Sequence, residues 1–513
     1  MMFIKDIRAK ITSEFDISQN GIQIIEDEKR IEIYNDPFRT VPLFITRRIS
    51  DNEIILFSRF EDFYSLKDID RTIDEVGFWE IVIFGMALWT RTLYKSVEQM
   101  PGAAKIIIDK QANTYNIERY WNFNVELDSR INSMEKAAKG LYEKIDSIFS
   151  KLDRTKKYVM GMSGGLDSRI TLAFLSRYIP KDNLELFTYG FDGNILEYQY
   201  AKDIANALGF NQPKFHKLTA GSYKKAFEFL PKKSGGQISI GHCHIMDCIK
   251  SNQDNFKEKI QISTYYTDAI FGWSCVAPKK YETAKNSDFF RTLKNSVVID
   301  SSIKHEIAKD IQKVFFAYES KHNYSRVDEY KYVSERNQKF HIYMAFIQKQ
   351  FMQVILPYAN FELLRYSISV PIEYRANKNI VEYIINNYFR NISSRDFRNI
   401  SSRDFRNISS RFQWGSQLSS QLEWYYFKLL NYTNAFLRLA TNGYVQFFNK
   451  YQTEDQERLL YTDFKTDLQE ATKILVEKGI FHTATKEYYD KLPLRGGSGV
   501  SERYNLMSLA RLI

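Results

Sequence analysis

Residues Ser163-Gly164-Gly165-Leu166-Asp167-Ser168 set two hydroxyls, two adjacent glycines and one carboxylate between an apolar run that ends at Met162 and a segment of helical pattern. Adjacent glycines let a backbone approach an anion and turn its N–H groups toward it. A helix starting there adds the positive end of its dipole, and Ser163 and Ser168 add hydroxyl donors. A carboxylate alone in such a cradle would repel phosphate, so Asp167 implies a bridging Mg2+. The chemistry indicated is the holding of a pyrophosphate group. This is not the Walker loop, whose lysine is missing. A second cluster, Gly241-His242-Cys243-His244-Ile245-Met246-Asp247-Cys248, has metal-ligand residue types. On a helix His244 and Cys248 share a face, as do Cys243 and Asp247. A zinc site needs four ligands in tetrahedral reach, and no second pair completes one, which favours a structural reading.

The elements around the loop must hold it at a strand-to-helix turn. Tyr158–Met162 reads as a strand and Ser168–Tyr178 as a helix stopped by Pro180. Leu184–Tyr189 reads as a strand and Leu196–Leu208 as a helix with Gly209 as its cap. Lys214–Leu218 and Ile260–Thr264 read as further strands, and Met134–Leu152 as a helix ahead of the first. Strand alternating with helix predicts a parallel sheet with crossover helices. Before this unit, Ile22–Ile25, Ile31–Tyr34, Leu43–Thr46, Ile54–Ser58, Lys105–Asp109 and Arg119–Phe123 are β-prone runs. The apolar run 76–89 contains Glu80, is too short for a membrane span and reads as a buried helix. From Glu335 onward the pattern is mostly helical. Within it, Phe389–Asp396 recurs as Phe397–Asp404 and in part from Phe405, a tandem expansion too short for a solenoid repeat.

Taken together, the loop resembles the pyrophosphate-binding loop of the asparagine synthetase and β-lactam synthetase superfamily. Thr188-Tyr189-Gly190-Phe191, with Glu197 and Ala201 downstream, is similar to the strand and helix that flank the adenosine pocket there. Thr264–Gly272 resembles the second acidic loop, with Tyr265 and Tyr266 where the family has glycines and Ala269 where it has Glu. Asp268 is retained, and the resemblance makes it the second Mg2+ ligand beside Asp167. Leu356-Pro357-Tyr358-Ala359-Asn360 resembles a Val-Pro-Phe-Leu-Asp element; the acid usual four residues before the proline is Gln353 here, which cannot act as a base. Lys491, followed by Gly496-Gly497-Ser498-Gly499, resembles the catalytic lysine and Gly-Ser-Gly loop of β-lactam synthetases. A lysine so placed would stabilise an acyl oxyanion.

The first part of the chain resembles the family's glutaminase half, through Asp36–Leu43, Leu56-Phe57-Ser58, Arg91-Thr92-Leu93, Met100-Pro101-Gly102 and Tyr120-Trp121. A working glutaminase needs an N-terminal cysteine nucleophile. Position 2 is Met2 and no cysteine precedes Cys243, so this half is expected not to hydrolyse glutamine, as in β-lactam synthetases and lasso-peptide cyclases. The resemblance therefore implies an α/β protein: a degenerate Ntn-hydrolase-like αββα domain over 1–125, then a PP-loop ATP-pyrophosphatase domain of the adenine nucleotide α-hydrolase-like type over 126–513, with a parallel sheet, a helical C-terminus and the repeat as an insert at 389–412.

The expected activity is an AMP-forming carbon–nitrogen ligase. ATP and Mg2+ are its cofactors, with Ser163, Gly164, Gly165, Leu166, Asp167, Ser168, Gly190 and Ser498 binding ATP and pyrophosphate. Asp167 and Asp268 hold metal, and Lys491, Asp167 and Asp268 serve catalysis. Its partner is a small-molecule or peptide carboxylate. The base for the amine is open, Glu335 being one candidate. Ammonia-dependent amidation of an amino acid or sugar carboxylate and a nucleotide-binding pseudoenzyme remain alternatives. tRNA thiolation is disfavoured because Cys243, Cys248 and Cys275 offer no reactive pair flanking the loop. The formal charge of +10 is spread along the chain, which disfavours nucleic acid. Three cysteines and no targeting segment point to the cytosol, without membrane association. A homodimer stays open.

Overall fold

The computed structural model describes residues 3–5, 9–123, 125–193, 195–272, 288–296, 298–316, 327–389, 459–460, 462–491 and 496–513, and isolated positions between 429 and 440. The repeat beyond Phe389, Met2 and Cys275 lie outside the described residues. Among the described residues no helix is long and apolar enough to cross a membrane.

Among the described residues, the first 120 positions form two sheets from nine strands. These are β1 (Phe3–Lys5), β2 (Ala9–Ile11), β3 (Ile22–Glu26), β4 (Arg30–Asn35), β5 (Phe44–Arg47), β6 (Ile54–Phe57), β7 (Glu98–Gln99), β8 (Ala104–Asp109) and β9 (Thr114–Arg119). One sheet has the order β1-β6-β5-β7 and the other β2-β3-β4-β8-β9. Alternation puts Ile22, Ile24, Ile31, Ile33, Ile106 and Ile108 of one sheet against Ile45, Ile54 and Leu56 of the other in a shared core. The opposite face of the first sheet, through Phe44, Ile55 and Phe57, joins a larger core with Phe78 and Trp79 of the helix Glu75–Phe84. That helix starts at Asp74, whose carboxylate accepts from the N–H groups of Val76 and Gly77, and ends on Gly85 in the left-handed region. The outer face of the five-stranded sheet instead carries Glu32, Lys105 and Glu118 in ion pairs. The expected helical layer is thus seen on one side only among the described residues. The strand expected at Arg119–Phe123 is Thr114–Arg119, because the full six-residue register against β8 runs over 114–119.

The second unit is a mixed α/β layer structure around a five-stranded parallel sheet. Its strands are β10 (Tyr158–Gly161), β11 (Leu184–Gly190), β12 (Lys214–Lys217), β13 (Ile260–Ile262) and β14 (Gln353–Ile355). They lie in the order β12-β11-β10-β13-β14, every pair parallel. Strand β14 is not in the sequence reading; it is a three-residue run inside a helical region, made a strand by its pairing with β13. Alternate residues of β10 face opposite cores. Tyr158 and Met160 meet helices Met134–Phe149, Leu166–Tyr178 and Leu196–Ala207 through Leu141, Ile170 and Ile204. Val159 meets Cys248 and Ile249 of helix His244–Ser251 and Ala345 of helix Tyr343–Gln348. The two units share the larger core and several buried polar contacts, among them Asn505, whose amide donates to the carbonyls of Ile81 and Val82 at 3.0 Å each.

Candidate nucleotide site at the switch point of the sheet

Strand order reverses at β10: the chain moves outward through β11 and β12, then returns to add β13 and β14 on the other side. Loops leaving two such adjacent strands open a crevice at their carboxyl ends, where ligands of open α/β sheets bind. Ser163–Ser168 leaves β10 and the segment with Asp268 leaves β13, so the sheet alone brings the two predicted acids to one crevice.

The loop itself is tightly tied. Helix Leu166–Tyr178 begins two residues earlier than the sequence pattern indicates, with Gly165 as its cap residue, which puts Asp167 in the first turn. Ser163 N–H donates to Ser168 Oγ (3.2 Å), the two hydroxyls lie 2.9 Å apart, and Ser168 Oγ also donates to Ser163 O (2.9 Å). Ser168 is buried and closes the loop, while Ser163 is half-buried. Gly165 N–H donates to Ser163 Oγ at 3.2 Å. A Cβ on Gly164 would stand 2.8 Å from Cβ of Tyr200, so the position admits only glycine without movement. Arg169, buried behind the loop, donates from Nη2 to Gly164 O at 3.1 Å; burial holds its pKa down to about 10 against the pull of Glu382. Thr171 Oγ1 bonds Asp167 O (2.6 Å) and the hydroxyl of Tyr358 (2.7 Å), so the Pro357–Asn360 element packs directly beneath this turn. Asn360, where an Asp was expected, caps helix Phe361–Ser369 by accepting from Leu363 N–H at 3.0 Å. Gly190 ends β11 and accepts from Leu218 N–H at 2.8 Å.

The acids meet on one ammonium. Lys378 Nζ lies 2.6 Å from both Oδ1 and Oδ2 of Asp167 and 3.0 Å from Asp268 Oδ1. Lys378 is only 5% exposed. The backbone that delivers it is unusual: Asn377 and Lys378 both occupy the left-handed region, at φ 60° and 63°. Arg375 fixes the approach, paired with Glu329 and donating to Val370 O at 3.1 Å. Gly272, at φ +70°, lets the end of the Asp268 segment lie against the Arg375 backbone, where a Cβ would come 2.7 Å from its carbonyl oxygen. Sequence reasoning missed Lys378; the one local signal is Asn377, a residue that tolerates left-handed backbone.

Asp167 and Asp268 converge where a cation sits, and their oxygens are hard ligands of the type Mg2+ takes. Among the described residues no group of three or more metal-ligating side chains exists.

The comparisons with known proteins add little beyond this geometry. No protein-family model matches the chain and no curated protein matches it. Among solved structures, an NH3-dependent NAD synthetase from Campylobacter jejuni, in complex with the nitrate ion, is similar over 37% of this chain and 98% of its own. The identity is 14% and the TM-score 0.21, and the functional reading therefore rests on the residues.

Gly496–Gly499, expected as a Gly-Ser-Gly loop, forms the first turn of helix Gly496–Ala510, which includes Ser498. Lys491 ends helix Thr483–Lys491; its side chain, like that of Ser498, lies outside the described residues. Tyr266 takes φ +78° where the sequence resemblance implies a glycine, and is held there by burial, by a bond from its hydroxyl to Val333 O (3.1 Å) and by edge contact with Phe38 at 4.9 Å. Gln353 is exposed at the start of β14. Glu335 is withdrawn as a base: it is fully buried, paired with Lys339 at 2.5 Å, and 3.6 Å from Arg119. The His-Cys cluster divides. His216 on β12 pairs with Asp247 at 2.8 Å, while Cys243 and Cys248 enter different cores.

Proposed function

We propose that this chain is an ATP-dependent ligase that adenylates a carboxylate and passes the acyl group to an amine. The observation that carries the reading is the convergence of Asp167 and Asp268, from the two sides of the switch point, on one buried positive charge beside the Ser163–Ser168 glycine loop. Bound Mg2+ would offset phosphate charge and lie on Asp167 and Asp268. The N–H groups of the loop and the first turn of helix Leu166–Tyr178 would receive the β- and γ-phosphates. A carboxylate oxygen of the substrate attacks the α-phosphorus, the bond to the bridging oxygen breaks, and pyrophosphate leaves. The amine then attacks the acyl carbon, losing a proton to base or water, and AMP leaves. Lys378 would move from the carboxylates to phosphate oxygens as nucleotide enters, and Lys491 is assigned to the acyl oxyanion. The segment 1–120 has no glutaminase role in this scheme and shapes the acidic loop through Phe38.

Incubation with ATP and a panel of carboxylic acids and amines is expected to release AMP and pyrophosphate in equal amounts. Release of ADP and phosphate instead would sink the adenylate mechanism. One observation favours a second reading, a nucleotide-free pseudoenzyme: Lys378 already pairs with both acids. In that case the protein would fail to bind ATP at millimolar Mg2+.

A further inference from the structure

Next to the crevice is a set of rings that the phosphate chemistry does not use. Tyr189, near the carboxyl end of β11, lies 5.0 Å from His244. His244 is 6.1 Å from His242, and His242 meets Phe340 edge-on at 4.7 Å. Phe340 is 5.0 Å from His341, and His341 lies parallel to Tyr265 at 5.5 Å and 2°. Tyr265 follows β13. The six rings thus run from the end of β11 to the end of β13, across β10, on the edge of the sheet that bears the phosphate loop. All six are half-buried.

Among the described residues, Arg336 is the cation that stands over a ring of this arc. The Arg336 guanidinium lies 5.3 Å over the Phe340 ring and 5.9 Å over Tyr332. Among the described residues no carboxylate pairs with it. Its charge adds to burial and to His244 in holding His242 well below the usual histidine range, and burial takes His244 down to about 4. His341 Nδ1 is 2.6 Å from Asn337 Oδ1, which fixes that ring. The arc therefore offers one permanent, forked cation, the imidazoles of His242 and His244 with their pKa values lowered by burial, and flat ring faces. A guanidinium recognises a carboxylate through two parallel N–H bonds, and ring faces favour a planar body over a puckered one.

We propose that this arc is a binding site for an aromatic carboxylate, with its ring against Phe340 and the imidazoles of His242 and His341 and its carboxylate on Arg336. That this acid is the one activated rests on the ligase reading; the binding site does not. Binding to the full chain without nucleotide is measured by saturation-transfer NMR with benzoate, benzamide and cyclohexanecarboxylate. Benzoate is expected to bind about tenfold more tightly than either of the others. Arg336→Gln should bring benzoate down to the level of benzamide, and Phe340→Leu should remove the preference over cyclohexanecarboxylate. Equal binding of all three probes, or of benzoate to Arg336→Gln and wild type, overturns the site. If Arg336→Gln loses its fold by circular dichroism, Arg336→Lys decides: an unchanged benzoate affinity overturns the forked contact, and a several-fold loss supports it. ATP binding, measured separately, fails only if the ligase reading is wrong.

Discussion

Lys378 is the residue on which the candidate site turns. Its ammonium is within 3.0 Å of three carboxylate oxygens from two chain segments, and its side chain is almost withdrawn from water. Removing such a charge leaves two carboxylates facing each other with little solvent to screen them. Lys378→Ala is therefore expected to lower stability by about 2–4 kcal/mol. Added Mg2+ can take the vacated place between the carboxylates, so thermal unfolding of Lys378→Ala should shift upward with millimolar Mg2+ far more than that of wild type. A variant that shows no greater Mg2+ response than wild type would remove Asp167 and Asp268 as a shared cation site. The same variant should lose turnover, since no ammonium remains to follow the phosphates.

At the scale of elements, the loop was legible in the sequence and its partners were only partly so. Adjacent glycines between an apolar run and a helical period report their own turn, since both signals are local. The convergence of Asp268 with Asp167 depends on β10 and β13 being neighbours, a sheet order that no local pattern encodes. Lys378 was hidden for the same reason: it comes from a kinked segment placed by Arg375 and Gly272, over 200 residues beyond the loop. Tyr265 and Tyr266 stand where the sequence resemblance implies a glycine turn. They are tethers instead. Tyr266 bears a left-handed backbone that costs about 1–2 kcal/mol in a residue with a Cβ, offset by burial against Phe38. Tyr265 accepts a bond from Gln348 Nε2 at 3.0 Å and lies on His341. The acidic loop is therefore set by the first sheet unit as well as by its own strand. A double-mutant cycle on Phe38→Ala and Tyr266→Ala is expected to show a coupling of about 0.5–1.5 kcal/mol in stability. Phe38→Ala alone should slow pyrophosphate release by about tenfold or more through misplacement of Asp268. Unchanged release from a folded Phe38→Ala protein would confine the first unit to a purely structural role.

At the scale of the whole molecule, the two units meet over buried charge. Lys339 donates to the carbonyls of Ala87 and Trp89 at 2.9 and 2.8 Å while paired with Glu335, and Gln338 bridges Gly102 N–H and Pro37 O at 2.9 Å each. These polar residues sit on the irregular helical stretch Tyr332–Ile342, whose wider turn differs from the α-helical period used to read the sequence. Burial holds the pKa of Lys339 down to about 8, with Glu335 and Glu80 pulling upward and Arg39 downward. The ordinary lysine value near 10.5 applies to the unfolded chain. Below pH 8 both states carry the proton and the burial cost is fully present. Between pH 8 and 10.5 the unfolded chain binds more protons than the native one, so stability contributed by this group rises with pH, by up to about 1.4 kcal/mol per unit. Glu80, raised by burial, acts in the opposite direction as pH climbs from the acid side, but it is present in any variant that keeps it. The double variant Glu335→Gln with Lys339→Met replaces the pair with neutral groups of similar size and is expected to stay folded, within about 1–2 kcal/mol of wild type at pH 7. Denaturant unfolding of both proteins at pH 7, 8, 9 and 10 should show wild type gaining on the double variant above pH 8. A constant difference across that range would mean that Lys339 keeps its proton throughout and that Glu335 holds it charged at the junction of the two units.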